Sequence, residues 1–334
     1  MTLADKLNDY VSVMIRSVGE RTEFLCRELV LAQGLPEENV AVIKQIPFGR
    51  SLYASYEAGI ASNRLWTLCL DADILLLPGS IREMVRFAEK QALSVFEVRG
   101  LVLDKFFGGP RQAGAHLYRT SLLPQALKFI PLEQDQIRPE QHTLNAMKAQ
   151  GFPWKRMDYL TGIHDFEQYY RDIFRKCFVQ AHKHQEYAEI FISYWPEQGS
   201  RDFDYKIALK GYIEGLEYQG DVRIDVQQDI YRERFENLHM VEKPDLQPGS
   251  FSLSDIDILV KNWKEPPSYH KYFQYEMISH ANERPKHSIR KKNLADKRKA
   301  LGPFKYQLYL IGWGLEKAGD RIKRLVDKQV DLHL

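Results

Sequence analysis

The stretch from Leu65 to Ser80, LWTLCLDADILLLPGS, constrains the fold of this chain more than any other part of it. Its first six residues are almost continuously apolar, a pattern typical of a β-strand that is covered on both faces. Two carboxylates, Asp71 and Asp73, follow where that strand should end, and Pro78-Gly79 then predicts a turn. Because ligands gather outside the carboxyl ends of strands in open α/β sheets, we expect this stretch to border a binding site.

The spacing of Asp71 and Asp73 suits a metal ion. Side chains two residues apart on an extended segment point the same way, so both carboxylates can reach one hard divalent cation. The alternative is local, because turns after strands are rich in Asp for hydrogen-bonding reasons of their own. The context of the motif favours the metal.

The elements around this motif alternate between strand and helix. A β-rich run from Tyr10 to Arg16 precedes a helical pattern from Arg21 to Ala32, and a second strand pattern from Asn39 to Ile46 precedes a helix that begins near Phe48. Such alternation predicts an α/β domain with parallel strands.

The order of these elements, with Asp-Ala-Asp after the apolar strand and an amphipathic helix after Pro78-Gly79, resembles the DXD region of GT-A glycosyltransferases, especially family 2. The resemblance covers about Tyr10 to Tyr170. It implies an α/β three-layer sandwich of the GT-A type, Rossmann-like and built for nucleotide-diphospho-sugar transfer, followed here by a helical C-terminal extension. It also implies a Mn²⁺ or Mg²⁺ ion at the motif that holds the diphosphate of a nucleotide-sugar donor.

The resemblance also identifies candidate donor contacts. The turn after the first strand lies against the nucleotide in such enzymes, a helix start lies near the diphosphate, and a glycine loop flanks the donor sugar. The corresponding residues are Arg16, Ser17, Arg21, Arg50, Gly108 and Gly109, together with Asp71. Each has a structural alternative: Ser17 and Glu20 match a helix capping box, Arg50 matches a surface arginine, and the glycines match a plain hairpin loop.

Two further residues complete the resemblance. GT-A enzymes carry an acidic motif at a helix start whose last acid is the base in inverting members, and Arg138-Pro139-Glu140 places Glu140 there. Glu140 can also serve as a partner of the helix dipole. A C-terminal histidine completes the metal site in many members, and His164 occupies that place, with Asp165 either orienting its ring or capping the next helix.

Composition adds limits. The 334 residues carry a net charge of only +2, which argues against general nucleic-acid binding, yet residues 286–299 alone carry +6. Three widely spaced cysteines favour reduced thiols over disulfides or a zinc site. No signal peptide or membrane span is evident, so we expect the protein in the cytoplasm or peripherally on the inner face of the cell membrane.

The basic run joins an amphipathic, aromatic segment, and residues 286–326 together have the composition of a helix that lies on an anionic membrane. The same apolar face suits packing on the domain or on a second subunit. The expected organisation is a catalytic GT-A domain over residues 1–190, a mainly helical region over 191–285, and the basic tail over 286–334.

These observations lead to one functional prediction and two alternatives. The chain is expected to move a sugar from a nucleotide-diphosphate donor to a glycan or lipid-linked glycan in bacterial surface polysaccharide synthesis, with inversion favoured over retention. The first alternative is a sugar nucleotidyltransferase, although no Gly-rich, Lys-bearing phosphate loop follows the first strand. The second is a non-catalytic scaffold of an envelope polysaccharide assembly.

Overall fold

The computed structural model describes residues 3–132, 138–223 and 228–263. The strands are β1 Val11–Arg16, β2 Val40–Ile43, β3 Trp66–Asp71, β4 Ile74–Leu76, β5 Glu97–Asp104, β6 Gly109–Arg111, β7 Ala115–Arg119 and β8 Trp154–His164. The helices are α1 Leu3–Tyr10, α2 Glu23–Leu31, α3 Phe48–Ser62, α4 Ser80–Glu89, α5 Leu123–Ala126, α6 Pro139–Ala149, α7 Tyr170–Lys183, α8 Ala188–Gln198, α9 Asp204–Glu217, α10 Asp229–Glu236 and α11 Leu253–Asn262.

The strands form one mixed sheet in the order β2-β1-β3-β7-β5-β8-β4, with β6 paired on β5. Strands β1, β2 and β3 are parallel, β7 runs antiparallel between β3 and β5, and β5 is parallel to β8. Arg16 is in register with Asp71, and Asp104 is in register with His164. Four charged or titratable side chains therefore lie at one edge of the sheet, at the carboxyl ends of parallel strands.

Alternation along the central strands explains why helices cover both faces of the sheet. Val13, Ile15 and Leu68 pack in one hydrophobic cluster with residues of α2 and α4. Met14 and Cys69, which face the other way, pack in a second cluster with residues of α3 and α6. The expected α/β three-layer sandwich is confirmed, and the helices that follow β8 form the expected helical extension.

The extension has an aromatic core. Helices α7 to α10 bury Phe174, Phe178, Phe191, Trp195 and Tyr212 against one another and against Phe106 and Phe107 of the β5–β6 hairpin. The sequence predicts one long helix over residues 166–192, but α7 ends at Lys183 and α8 begins at Ala188. These aromatics belong to a hydrophobic core.

Two glycines set the distance between α7 and α9. A Cβ added at Gly211 would lie 2.4 Å from the carbonyl oxygen of Phe174, and one added at Gly215 would lie 2.4 Å from that of Phe178. Both distances are far shorter than van der Waals contact. The backbones of α7 and α9 therefore meet directly.

Two local expectations are corrected by the structure. Helix α2 begins at Glu23 rather than Arg21, and its N-cap residue is Thr22. Ser17 and Glu20 consequently form no helix cap, and instead bond to each other within the loop after β1. After Asp71 the chain turns and continues as β4, so Asp71 and Asp73 do not lie on one extended strand.

The division into residues 1–190, 191–285 and 286–334 stays a prediction. The aromatic core contains residues on both sides of position 190. The basic tail, with the segment 286–326 for which the sequence predicts membrane binding, lies outside the described residues. In the described part of the chain, Cys26, Cys69 and Cys177 are buried free thiols, and no helix is both long and apolar enough to cross a bilayer.

Candidate active site

A cavity of about 580 Å³ opens at the carboxyl ends of β1, β3 and β8. Side chains that line it come from the loop after β1, the start of α3, the Asp71–Asp73 turn, the β6–β7 loop, the start of α6 and one face of α7. The resemblance places a nucleotide-sugar site at this edge of the sheet. Two networks of charged side chains occupy its walls.

The first network is centred on Arg16, the last residue of β1, which is only 3% exposed. Its Nε donates to Asp71 Oδ1 at 2.8 Å and its Nη1 donates to Glu140 Oε1 at 2.8 Å. Its Nη2 is buried without a hydrogen-bond partner among the described residues. Burial raises the pKa of Asp71, an effect that the Arg16 guanidinium partly offsets and that Asp73 and Glu140 reinforce.

Glu140 has no free carboxylate oxygen in this network. Oε1 also accepts from the Tyr118 hydroxyl at 2.8 Å, and Oε2 lies 3.0 Å from Nε2 of His116. Burial favours a higher pKa, but Arg16 and His116 outweigh it and hold the pKa of Glu140 well below its usual range. Glu140 is therefore firmly ionised.

His116 lies between two acids. Its Nδ1 is 2.6 Å from Glu97 Oε1, and its Nε2 faces Glu140. Burial favours a lower pKa for His116, but the two carboxylates together raise it to about 9. The sequence analysis missed His116, Glu97 and Tyr118. Two sequence signals could have identified them: the acid Glu97 inside the apolar strand β5, and the polar His116 inside the buried strand β7.

The second network contains the metal-type ligands. Asp73, His164 and Asp165 each offer a ligand atom, and these atoms lie within 4.8 Å of one another. Nε2 of His164 is 3.6 Å from Asp73 Oδ1, and Nδ1 of His164 is 2.6 Å from Asp104 Oδ2. Sequence reasoning identified Asp73 and His164 but gave Asp165 only a supporting place.

Asp71 does not belong to this ligand group, because its carboxylate bonds to Arg16 on the other side of the turn. The expectation that Asp71 and Asp73 share one cation assumed an extended segment. A turn follows β3 instead, and Asp165 is the third member of the ligand group.

Lys176 of α7 supplies a cation to the same group. Its ammonium donates hydrogen bonds to both Asp73 and Asp165. Burial alone favours a lower pKa for Lys176, but Asp165 and Asp73 outweigh it and raise the pKa above its ordinary value. A single lysine on an apparently ordinary helix gave the sequence analysis no signal.

The ligand group nevertheless fits a divalent cation. Asp73 Oδ1 is buried without a hydrogen-bond partner among the described residues, and it points toward Nε2 of His164. Asp104 engages the other ring nitrogen, as carboxylates do when a histidine binds metal through the opposite nitrogen. Two carboxylates and an imidazole suit Mn²⁺ or Mg²⁺. Binding would require Lys176 to move away.

The remaining predicted residues are distributed unevenly. Ser17 lines the cavity and donates to Glu20. Arg21 instead ties two loops together through Pro244 and Glu167, and Arg50 is exposed at the start of α3. Gly108 and Gly109 belong to the β5–β6 hairpin, and it is Pro110 and Arg111 beside them that reach the cavity. The roles predicted for these residues stay predictions.

Gly114 lies at a position near Asp71 where a larger side chain would clash. Its φ is +53°, and a Cβ there would lie 3.0 Å from Asp71 Oδ2 and 2.8 Å from the Ile74 side chain. The glycine therefore lets the β6–β7 loop approach the carboxylate.

Comparison with known proteins gives likenesses in structure only. No protein-family model and no curated protein matches the chain. A glycosyltransferase involved in glycosylation of the major capsid of PBCV-1 is 13% identical, with a TM-score of 0.35 over 47% of this chain and 94% of its own. The mannosyltransferase PcManGT from Pyrobaculum calidifontis, in complex with GDP-Man and Mn²⁺, is 11% identical, with a TM-score of 0.36 over 80% and 82%.

A CMP:2-keto-3-deoxy-manno-octonic acid synthetase complexed with CTP is 9% identical, with a TM-score of 0.31 over 46% of this chain and 91% of its own. Nucleotide-sugar enzymes thus recur among the similar structures. With scores this low, no residue role and no substrate follows from them.

Proposed function

We propose that this chain is a glycosyltransferase that uses a nucleotide-diphospho-sugar donor. The observation that carries the proposal is the convergence of Asp73, His164 and Asp165 on the cavity at the carboxyl edge of the sheet. Carboxylates beside a movable cation suit a ligand that combines phosphate oxygens with sugar hydroxyls. The family 2 and DXD assignments belong to this proposal.

The donor is proposed to lie along the cavity from the loop after β1 to α7. Val18, Ile46 and Phe48 give one end an apolar lining suited to a nucleotide base. Asp71 and Asp73 also line the cavity, and the diphosphate is proposed to lie beside them. This placement extends the predicted donor role of Arg16 and Ser17, which adjoin the apolar end.

The proposed cofactor is Mn²⁺ or Mg²⁺, held by Asp73, His164 and Asp165. When bound, the ion would neutralise negative charge on the leaving diphosphate. Lys176 is proposed to release Asp73 and Asp165 in that state and to donate to phosphate oxygens in the same cavity. Its ammonium thus keeps a partner in both states.

In the proposed inverting mechanism, Glu140 is the base that accepts the proton of the acceptor hydroxyl. A base needs a free lone pair near the acceptor hydroxyl, whereas Glu140 accepts from Arg16 and Tyr118 and contacts His116. The inverting proposal therefore requires acceptor binding to displace one of these donors. The contacts themselves favour a positioning role, in which Glu140 aligns Arg16 and His116.

The proposed acceptor is a glycan or lipid-linked glycan of bacterial surface polysaccharide synthesis, reached at the inner face of the cell membrane. Residues 286–326 are proposed to bind anionic lipid, on the basis of their basic and aromatic composition. Cosedimentation of the full chain with anionic but not with neutral vesicles is expected.

The transferase proposal is tested by thermal shift with UDP, GDP and CDP, each with and without Mn²⁺. One nucleotide is expected to raise the melting temperature of the wild type in a metal-dependent way, by mass action. Asp73→Asn should abolish the metal dependence, whereas Asp158→Asn, at an exposed position, should keep it. Incubation with the matching sugar nucleotide and an acceptor should release nucleoside diphosphate. Release of pyrophosphate from a sugar phosphate and a nucleoside triphosphate would contradict the proposal.

A further inference from the structure

One face of α7 points two lysines into the cavity. Lys176, Gln180 and Lys183 all line it, and their spacing of four and three residues places them on the same side of the helix. The two lysines are separated by two helical turns, or about 10 Å along the axis. They therefore reach different parts of the same cavity.

The two lysines have opposite surroundings. Lys176 donates to two carboxylates, whereas the ammonium of Lys183 has no hydrogen-bond or ion-pair partner among the described residues. Burial and the nearby cations Arg138 and Arg111 lower the pKa of Lys183 to about 8, although Asp71 and Glu140 act in the opposite direction. Lys183 is thus still a cation at neutral pH, but no carboxylate of the described residues is in contact with it.

Arg138 and Arg111, the cations near Lys183, themselves have few acidic partners. Arg138 donates to the carbonyl oxygen of Lys183 at 3.0 Å and contacts His184, and it forms no ion pair in the described part of the chain. Arg111 donates to Asp104 at 2.6 Å, but Asp104 also engages His164 and two backbone amides. One acid therefore serves several donors, while neither Lys183 nor Arg138 is in ion-pair contact with an acid among the described residues.

A further cation lines the cavity from the same helix. Arg175 is 9% exposed, and its buried Nε has no hydrogen-bond partner among the described residues. Its Nη2 is 3.7 Å from Asp172. Like charges held together in a partly desolvated concavity repel one another and create a positive potential that attracts anions.

We propose that Lys183, Arg138 and Arg111 form a second anion site, which binds a phosphate or carboxylate group of the substrate apart from the donor diphosphate. Guanidinium groups and an ammonium are the usual partners of both kinds of oxyanion. The assignment rests on the proposed function only in calling the ligand a substrate. Within the proposed function, this anion site implies that the acceptor or the transferred sugar carries a negative charge.

The test is a calorimetric titration of the full chain with inorganic phosphate and, separately, with acetate. Saturable binding of one or both is expected, and the two titrations distinguish a phosphate site from a carboxylate site. Lys183→Met should weaken the affinity at least fivefold. Lys210→Met, on the outer side of α9, should leave it unchanged because Lys210 is half exposed and pairs with Glu214.

The titration is repeated with a saturating concentration of the nucleoside diphosphate that stabilises the protein. Phosphate or acetate should still bind, and Lys183→Met should weaken that binding without weakening the nucleotide. Complete displacement by the nucleotide would overturn the proposal, because the cluster would then be part of the donor diphosphate site. Equal affinity in wild type and Lys183→Met would also overturn it. If no nucleoside diphosphate binds, the transferase proposal fails, while the first titration still decides the anion site.

Discussion

The ammonium of Lys176 donates a hydrogen bond to the carboxylate of Asp73, so an amino group occupies the position that the sequence assigns to a divalent cation. The same ammonium donates to Asp165. The proposed metal ion and the lysine would therefore compete for the same two carboxylates. This competition can be measured without knowing the substrate.

Lys176→Met should raise the affinity for Mn²⁺ about tenfold, since it removes the competing cation. Without metal the variant should be less stable by about 3 kcal/mol, because two buried carboxylates lose their partner. Mn²⁺ should restore most of that stability. Calorimetry and chemical denaturation measure the two effects, with Lys210→Met as the control. Unchanged Mn²⁺ affinity in Lys176→Met would show that the ion does not bind at this position.

His164→Ala should weaken Mn²⁺ binding at least tenfold, because it removes the nitrogen ligand that Asp104 orients. His239→Ala, in an exposed turn outside the cavity, should bind the ion as the wild type does. Titration of both variants with Mn²⁺, followed by electron paramagnetic resonance, measures the difference. Equal affinities would remove His164 from the ligand group.

His116 should make stability fall at alkaline pH. Its pKa is raised from 6.5 to about 9 in the folded protein, so its contribution is complete below pH 6.5 and is lost as the pH rises through 9. The shift corresponds to at most about 3 kcal/mol. Urea denaturation at pH 6 and pH 9.5 should show the loss in the wild type and a smaller loss in His116→Gln. A pH dependence unaffected by the substitution would place the titration elsewhere.

Glu140→Gln separates the two roles proposed for Glu140. A positioning residue replaced by an amide of the same shape should cost less than about tenfold in transfer rate, and the pKa of His116 should fall because one carboxylate is gone. Loss of a general base costs about 10² to 10⁴ in rate. Single-turnover rates together with the histidine titration by NMR distinguish these outcomes, and a loss in the larger range would support the inverting base.

Gly114→Ala should destabilise the fold by about 1 to 3 kcal/mol, since it adds a Cβ beside Asp71 and Ile74 at a positive φ. Gly34→Ala is the matched control, because its φ is +88° and nothing lies within 4 Å of the added Cβ. The control isolates the cost of the backbone conformation from that of the clash. Thermal denaturation of the two variants measures the difference, and equal losses would mean that the loop tolerates the contact.

Much of the sheet could be predicted from the sequence because its signals are local. The apolar run before Asp71 gave β3, and the β-rich run before Arg16 gave β1 within one residue of its observed start. The Asp71–Asp73 pair could not be resolved in the same way. The sequence after β3 is compatible both with a turn and with a continued strand. The two carboxylates are distinguished only by their partners, Arg16 for Asp71 and Lys176 for Asp73.

The charged partners of the site were the least predictable part. His116 lies 19 positions from its partner Glu97, and Lys176 lies 103 positions from its partner Asp73. Contacts across such separations depend on how strands order in the sheet. No local pattern records that order, whereas His164 could be found because a family resemblance supplied it.

The direct contact between α7 and α9 fixes the position of α7, and therefore the width of the cavity that α7 lines. Lys176 and Lys183 lie on the side of α7 that lines the cavity, while Phe174 and Phe178 meet the glycines of α9. A methyl group at Gly211 or Gly215 would have to push α7 away from α9, and with it both lysines. A single methyl group added to α9, a helix with no residue among those that line the cavity, would therefore displace the side of the cavity that α7 forms.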